Sequence, residues 1–144
     1  EQYQSLVNNI PGITYRCRFD KDWTMLFIST QVDNITGYTA EELLHNSKVS
    51  YGVLIHPHDQ ALVTATVEAG VENDTPWEME YRVRHKDGTY RWVYEKGTSI
   101  KDASGQVQYL DGFILDITAR KNIQNALAAS EERYHRALSG TGAG

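Results

Sequence analysis

The chain has a single cysteine, Cys17, so no internal disulfide framework is available to it and a reducing compartment is allowed. No apolar run approaches the roughly 18 to 20 residues of a membrane-spanning helix, and no signal-peptide pattern opens the sequence. The fragment is therefore expected to be cytoplasmic and to make no direct membrane contact, although a parent protein can carry an anchor elsewhere. Basic residues form no stripe: 14 Lys and Arg are interspersed with 19 Asp and Glu, for a net charge of -5, which excludes nucleic acid as the natural partner. There is no phosphate-binding glycine loop, no nucleophile elbow and no His-Glu-x-x-His, so the common hydrolytic and nucleotide-dependent enzymes are absent from the motif record. The pair His56 and His58 has the spacing of two zinc ligands but lacks a second cluster, so no metal site is assigned.

What is present is a chain of 144 residues, 40% apolar and 23% charged, which suits one domain with one core. Its periodicity switches several times. Ile13, Tyr15, Cys17 and Phe19 alternate with polar neighbours, as a strand buried on one face does. Asp20-Lys21-Asp22 turns the chain into a second strand around Thr24 to Ser29. Thr30 with Asp33, and Thr39 with Glu42, have the spacing of capping boxes for two short helices, with Gly37 as the C-cap of the first. A longer helix follows His56-Pro57-His58-Asp59, with Pro57 in its first turn and Asp59 against its positive end; Gly70 and Asn73-Asp74 close it.

From Trp77 the period returns to two, through Met79, Tyr81 and Val83, across a turn at Asp87-Gly88, and along Tyr90 to Ile100. A turn at Ser104-Gly105 leads to a last strand, Val107 to Ile117. Charge pairing favours a three-residue loop that ends at Thr89 and sets Glu80 against Lys96 and Arg84 against Trp92. That register puts Met79, Tyr81, Val83, Val93, Glu95 and Gly97 on the inner face, where the Glu95 carboxylate needs a partner such as Tyr81 or a ligand. The order of elements predicts an α+β fold: an antiparallel sheet with helices packed over one face.

Two further patterns concern the ends. Glu1-Gln2-Tyr3 and Glu132-Arg133-Tyr134 echo each other, so the chain reads as one domain and the threshold of a repeat. The expected divisions are an N-terminal cap helix over 1–10, the domain over 11–118, an exit or linker helix over 119–138, and the start of a following repeat over 139–144. At Asp116-Ile117-Thr118 the last strand passes straight into that helix. Thr118 can N-cap it and Asp116 can pair with Arg120 or a nearby amide. Ile123, Leu127, Ser130, Tyr134 and Ala137 then follow the four-three spacing of a short coiled coil.

Four stretches, in this order, resemble the PAS domain in the variant that ends in a PAC segment: Ile35 to Leu43, Ile55 to Asp59, Glu80 to Val93 and Asp111 to Lys121. The resemblance implies a five-stranded PAS fold flanked by signalling helices, serving as a sensory module of a larger, usually bacterial, signalling protein. The domain itself would be non-catalytic. Its change of state would leave through the C-terminal helix toward a histidine kinase or diguanylate cyclase in the same chain, with Asp116, Thr118 and Arg120 as the coupling residues. Trp92, Tyr94, Phe113 and Leu115 form an apolar outer sheet face that a second subunit or the N-terminal helix would cover, so a homodimer is expected.

An interior site in such a fold would be lined by Tyr15, Cys17, Phe19, Val32, Ile35, Val63, Val67, Met79, Tyr81, Val83, Val93, Glu95, Leu110 and Ile114. These residues name no cofactor. Arg16-Cys17-Arg18-Phe19 resembles the flavin-adduct motif of the LOV branch but lies on the wrong element, so Cys17 reads as a small buried hydrophobe. The long helix offers no axial histidine for haem, but His45, His56 and His58 lie just before it, so flavin and haem stay open without being indicated. Two alternatives remain beside the sensor: a ligand-free dimerisation module, and a small enzyme using Glu95 as a general base.

Overall fold

The computed structural model describes residues 12–143, and side-chain surroundings through residue 133. The 1–10 cap helix and one copy of the sequence echo lie outside the described residues, as do the side chains of Tyr134 and Ala137. Strands β1 (Gly12–Cys17) and β2 (Met25–Ile28) come first, then four helices: α1 (Val32–Thr36), α2 (Ala40–Leu43), α3 (Tyr51–Leu54) and α4 (Gln60–Asn73). Strands β3 (Trp77–Arg84), β4 (Tyr90–Lys101) and β5 (Val107–Asp116) follow, and α5 (Thr118–Ala143) leaves the domain.

The five strands form one sheet in the order β2-β1-β5-β4-β3, with every neighbouring pair antiparallel. The fold is α+β, with the expected five-stranded sheet. Strand alternation places Ile13, Tyr15 and Cys17 inward on β1, Met79, Tyr81 and Val83 on β3, Val93 on β4, and Leu110 and Ile114 on β5. Val32, Ile35, Leu43, Tyr51, Leu54, Val63 and Val67 from the helices close the same core. Side chains such as Tyr81, Leu110 and Ile114 are almost wholly buried, each stabilising the fold by about 1.5–3 kcal/mol relative to exposure.

Several local expectations are corrected. The Thr39–Glu42 capping box is present, and Gly37 closes α1 in the left-handed region. Thr30, however, caps nothing. Helix α1 starts at Val32 with Gln31 before it, and the Val32 amide is already satisfied by the Ser29 carbonyl at 3.2 Å. Helix α4 begins at Gln60, so Pro57 lies before it; Asp59 does stand at the helix's positive end, but its carboxylate is taken by Arg82 and by no amide of the helix. Gly70 lies within α4, which ends at Asn73 with Asp74 in the left-handed region.

The β3–β4 hairpin pairs Met79 with Glu95, Glu80 with Tyr94 and Arg82 with Trp92. Its register is two residues from the one that charge pairing favours. The loop does contain three residues, but they are Lys86-Asp87-Gly88, since the His85 amide reaches the Thr89 carbonyl at 2.7 Å. Gly88, at φ 92°, supplies the left-handed residue this loop requires. A shift of two residues preserves parity, so the inward set is unchanged. Glu80 faces Tyr94 rather than Lys96, and it is Arg82 that lies over Trp92, at 5.3 Å.

Candidate functional site

Glu95 sits on β4 at the centre of the inner face, 6% exposed. Three neutral groups donate to its carboxylate: Tyr15 from β1 at 2.6 Å, Tyr81 from β3 at 2.6 Å and the Trp77 indole at 3.0 Å. The Tyr51 hydroxyl, from α3, lies 3.0 Å from that of Tyr81. Burial pushes the Glu95 carboxyl above its ordinary value, and the bonds from Tyr15, Tyr81 and Trp77 oppose the shift. Burial likewise raises the Tyr15, Tyr51 and Tyr81 phenols and the Cys17 thiol, with the Glu95 charge adding to each.

The rings reach Glu95 because two facing glycines leave room. Gly97 on β4 pairs with Gly112 on β5. A Cβ at Gly97 would stand 2.7 Å from the Trp77 ring and 2.8 Å from the Tyr15 hydroxyl oxygen; one at Gly112 would stand 2.7 Å from the same oxygen. Above the cluster is an interior cavity of about 20 Å³, lined by Tyr15, Cys17, Trp23, Tyr51, Tyr81 and Glu95 among polar and aromatic residues.

Of the residues expected to line an interior site, Tyr15, Cys17, Val63, Val67, Tyr81, Glu95 and Leu110 border this cavity. Val32, Ile35, Met79, Val83, Val93 and Ile114 are buried in the surrounding core without bordering it. Phe19 is misplaced: β1 ends at Cys17 after a register shift between Arg16 and Cys17, so Phe19 is 41% exposed and stacks on Trp23. Trp23, Met25, Tyr51 and Ile55 line the cavity although the sequence pattern had not marked them. For Tyr51 a signal existed, since Ser50 caps α3 by accepting the Val53 amide at 3.2 Å. His56 and His58 contact each other, the His58 amide donating to His56 Nδ1 at 3.0 Å. Among the described residues no three His, Cys, Asp or Glu side chains converge as metal ligands would.

A second constellation lies where β5 passes into α5. The Asp116 carboxylate accepts the Thr118 amide at 2.9 Å, and the Thr118 hydroxyl accepts the Trp92 amide of β4, also at 2.9 Å. The Ile117 amide donates to the Trp92 carbonyl at 2.9 Å. Thr118 thus bonds to the sheet instead of capping its own helix, and Asp116 rather than Thr118 supplies the capping oxygen. Arg120 does not meet Asp116; with Lys121 it holds Glu80 of β3, at 2.5 and 2.7 Å. Lys121 also lies over the Trp92 ring, 4.8 Å from its centre.

On the outer sheet face, Tyr94 and Phe113 stand 6.3 Å apart and Leu115 is opposite Tyr94. Phe113 is 38% exposed, and Phe27 of β2, unmarked by the sequence reading, is 54% exposed. Trp92 is half covered by Arg82 and Lys121. Ile117 is buried at the junction. Along α5, Ile123 and Leu127 are exposed, as a helix seam awaiting a partner would be, and the backbone stays helical past residue 138 to Ala143. No helix among the described residues is long and apolar enough to cross a membrane.

An antiparallel five-stranded sheet, helices on one face, a small interior cavity and a strand that hands over directly to an exit helix define a sensory-type α+β module. The chain belongs to the PAS fold family, whose family model matches residues 25–114. A methyl sulfide methyltransferase-associated sensor of Methanosarcina acetivorans is 28% identical over 140 residues, 96% of this chain and 14% of that protein. The two-component sensor PprA of Pseudomonas aeruginosa is 26% identical over 134 residues, 91% of this chain and again 14% of the relative. The chain therefore spans about one seventh of the length of these curated relatives. Among solved structures, a sensory box histidine kinase/response regulator from Burkholderia thailandensis matches with a TM-score of 0.76 and 30% identity, covering 94% of this chain and 99% of that one. The N-terminal domain of a diguanylate cyclase with PAS/PAC sensor from Marinobacter aquaeolei shares the fold, at a TM-score of 0.64 and 24% identity, over 76% of this chain and 98% of that one.

Proposed function

We propose that this chain is a non-catalytic sensory domain that binds a small ligand in its interior and passes the resulting change through α5 to an output domain of the same protein, a histidine kinase or diguanylate cyclase. The observation that carries this reading is the Trp92–Thr118 bond. Glu95 and Trp92 lie three residues apart on β4, so movement of that strand around an occupied cavity pulls directly on the first residue of the exit helix. Glu80, held by Arg120 and Lys121, ties β3 to the same turn of α5. The similarity to sensor proteins supports the coarse role, and the polar cluster beside the cavity supports ligand binding.

The test is a chimera in which this domain replaces the sensor of a histidine kinase. Asp116→Ala and Thr118→Ala should leave the domain folded and change kinase output. Loss of folding in both would reduce the junction to local capping. A second reading, a ligand-free dimerisation module, draws on the exposed Phe27 and Phe113 and on Ile123 and Leu127 of α5. Absorbance of freshly purified protein above 350 nm, with mass spectrometry of the supernatant after denaturation, separates the two. A co-purifying small molecule favours the sensor; an empty supernatant together with a stable dimer favours the module.

A further inference from the structure

The polar hydrogens of the interior cluster can be assigned one by one. Tyr15, Tyr81 and Trp77 each own a single polar side-chain hydrogen, and each directs it to the Glu95 carboxylate. With the Tyr81 hydrogen so engaged, the 3.0 Å contact between the Tyr81 and Tyr51 hydroxyls uses the hydrogen of Tyr51. The hydrogens of Tyr15, Tyr51, Tyr81 and Trp77 therefore point along paths that end on Glu95. Apart from the weak donor Cys17 and the Trp23 indole, the capacity left at the cavity is acceptor capacity: lone pairs on Tyr15 and Tyr51, and the remaining position on the Glu95 carboxylate.

The charge is equally one-sided. Three neutral donors hold Glu95, and among the described residues no Lys, Arg or His forms an ion pair with it. A buried carboxylate is stabilised most by a cation that also donates hydrogen bonds. The cavity, about 20 Å³ and walled by the aromatic side chains Tyr15, Trp23, Tyr51 and Tyr81, limits that cation to very few heavy atoms. An anion would meet a like charge, and a neutral acceptor such as a carbonyl would find none of the three tyrosine hydrogens free. An ammonium group, with three donors and no acceptor, is the complement of this lining, and aromatic walls favour a cation further.

We propose that the interior cavity is a site for a small cation of the ammonium class, ammonium itself or a short primary alkylammonium, seated against Glu95 and Tyr51. This rests on the reading of the domain as a ligand-binding sensor and adds the chemistry of the ligand. The probe is methylammonium chloride added to the purified chain, with potassium chloride matching ionic strength and methanol matching size, read by calorimetry and by melting temperature. Saturable binding at millimolar concentration is expected for methylammonium alone. Affinity should fall about tenfold or more in Glu95→Gln, through loss of the charge-assisted partner, and more mildly in Tyr51→Phe, which removes one oxygen from the wall.

No saturable response, an equal response to potassium or methanol, or undiminished affinity in the variants overturns the proposal. If Glu95→Gln fails to fold, Tyr51→Phe decides. The two failures are distinguishable: a different small molecule recovered from the denatured protein, with no response to methylammonium, removes the cation and leaves the sensor reading standing. Unchanged output from folded Asp116→Ala and Thr118→Ala chimeras removes the sensor reading itself.

Discussion

The Thr118 hydroxyl accepts the backbone amide of Trp92 at 2.9 Å, so the first residue of the exit helix is pinned to the strand that carries Glu95. Thr118→Val keeps the branched shape and removes the acceptor, leaving a partly buried amide without its partner. Urea denaturation should show a loss of about 1–2 kcal/mol, with the domain still folding cooperatively. A much larger loss would mean that the junction is part of the core and not a coupling point.

Asp59 and Arg82 give the fold an acid-sensitive tie. The Asp59 carboxylate takes the Arg82 guanidinium at 2.8 and 2.9 Å and the Arg82 amide at 2.9 Å, and these bonds hold its carboxyl below the ordinary range. The unfolded chain therefore takes up the proton first as pH drops. The stability Asp59 contributes is complete above its unfolded value of about 4 and is lost as pH falls through the lower folded value. Asp59→Asn should cost about 1–2 kcal/mol at neutral pH and flatten the acid limb of a stability-against-pH curve.

Glu95 should slope the other way. Burial raises its folded value, so the folded state holds the proton more tightly than the unfolded one. Its contribution is greatest below the unfolded value of about 4.3 and is lost as pH rises through the raised folded value. Glu95→Gln should remove that slope. Glu95→Ala should cost more than about 3 kcal/mol, since Tyr15, Tyr81 and Trp77 lose their acceptor together. Chemical denaturation across pH 4 to 8 compares the three proteins, and identical slopes in wild type and Glu95→Gln would contradict the assignment.

Gly97→Ala tests the packing that brings the rings to Glu95. The new methyl would stand 2.7 Å from the Trp77 ring and 2.8 Å from the Tyr15 oxygen, so one of them must move. A loss of about 1–3 kcal/mol is expected, with an altered near-ultraviolet dichroism signal from Trp77. Gly105→Ala, at an exposed turn with φ 88° and no atom near the added methyl, serves as a control for backbone strain alone.

The sequence made the inner and outer faces of the sheet legible because a period of two is hard to mistake: Met79, Tyr81, Val83, Val93 and Glu95 all face inward. Register was less legible. Cross-strand charge pairs are worth only tenths of a kcal/mol each, and the left-handed Gly88 in the Lys86-Asp87-Gly88 loop outweighed them. Tyr51 escaped because a four-residue helix has no period to read, and Phe19 was misassigned because alternation along β1 stops at its bulge. Asp59 was legible only as a charge at the positive end of a helix, because its partner, Arg82, lies on a strand that local pattern cannot bring near. Tyr15 was recognised as inward and Trp77 only as the start of an alternating strand, and their convergence on Glu95 depends on Gly97 and Gly112 facing each other across β4 and β5.

The coupling of sheet to exit helix is tested most directly by native-state hydrogen exchange at the amides of residues 118–123, compared between wild type and Thr118→Val. Protection in this first turn of α5 should drop while that of Val93 and Ile114 in the sheet stays near its wild-type value. A uniform fall across sheet and helix, or no change at the helix, would contradict the account.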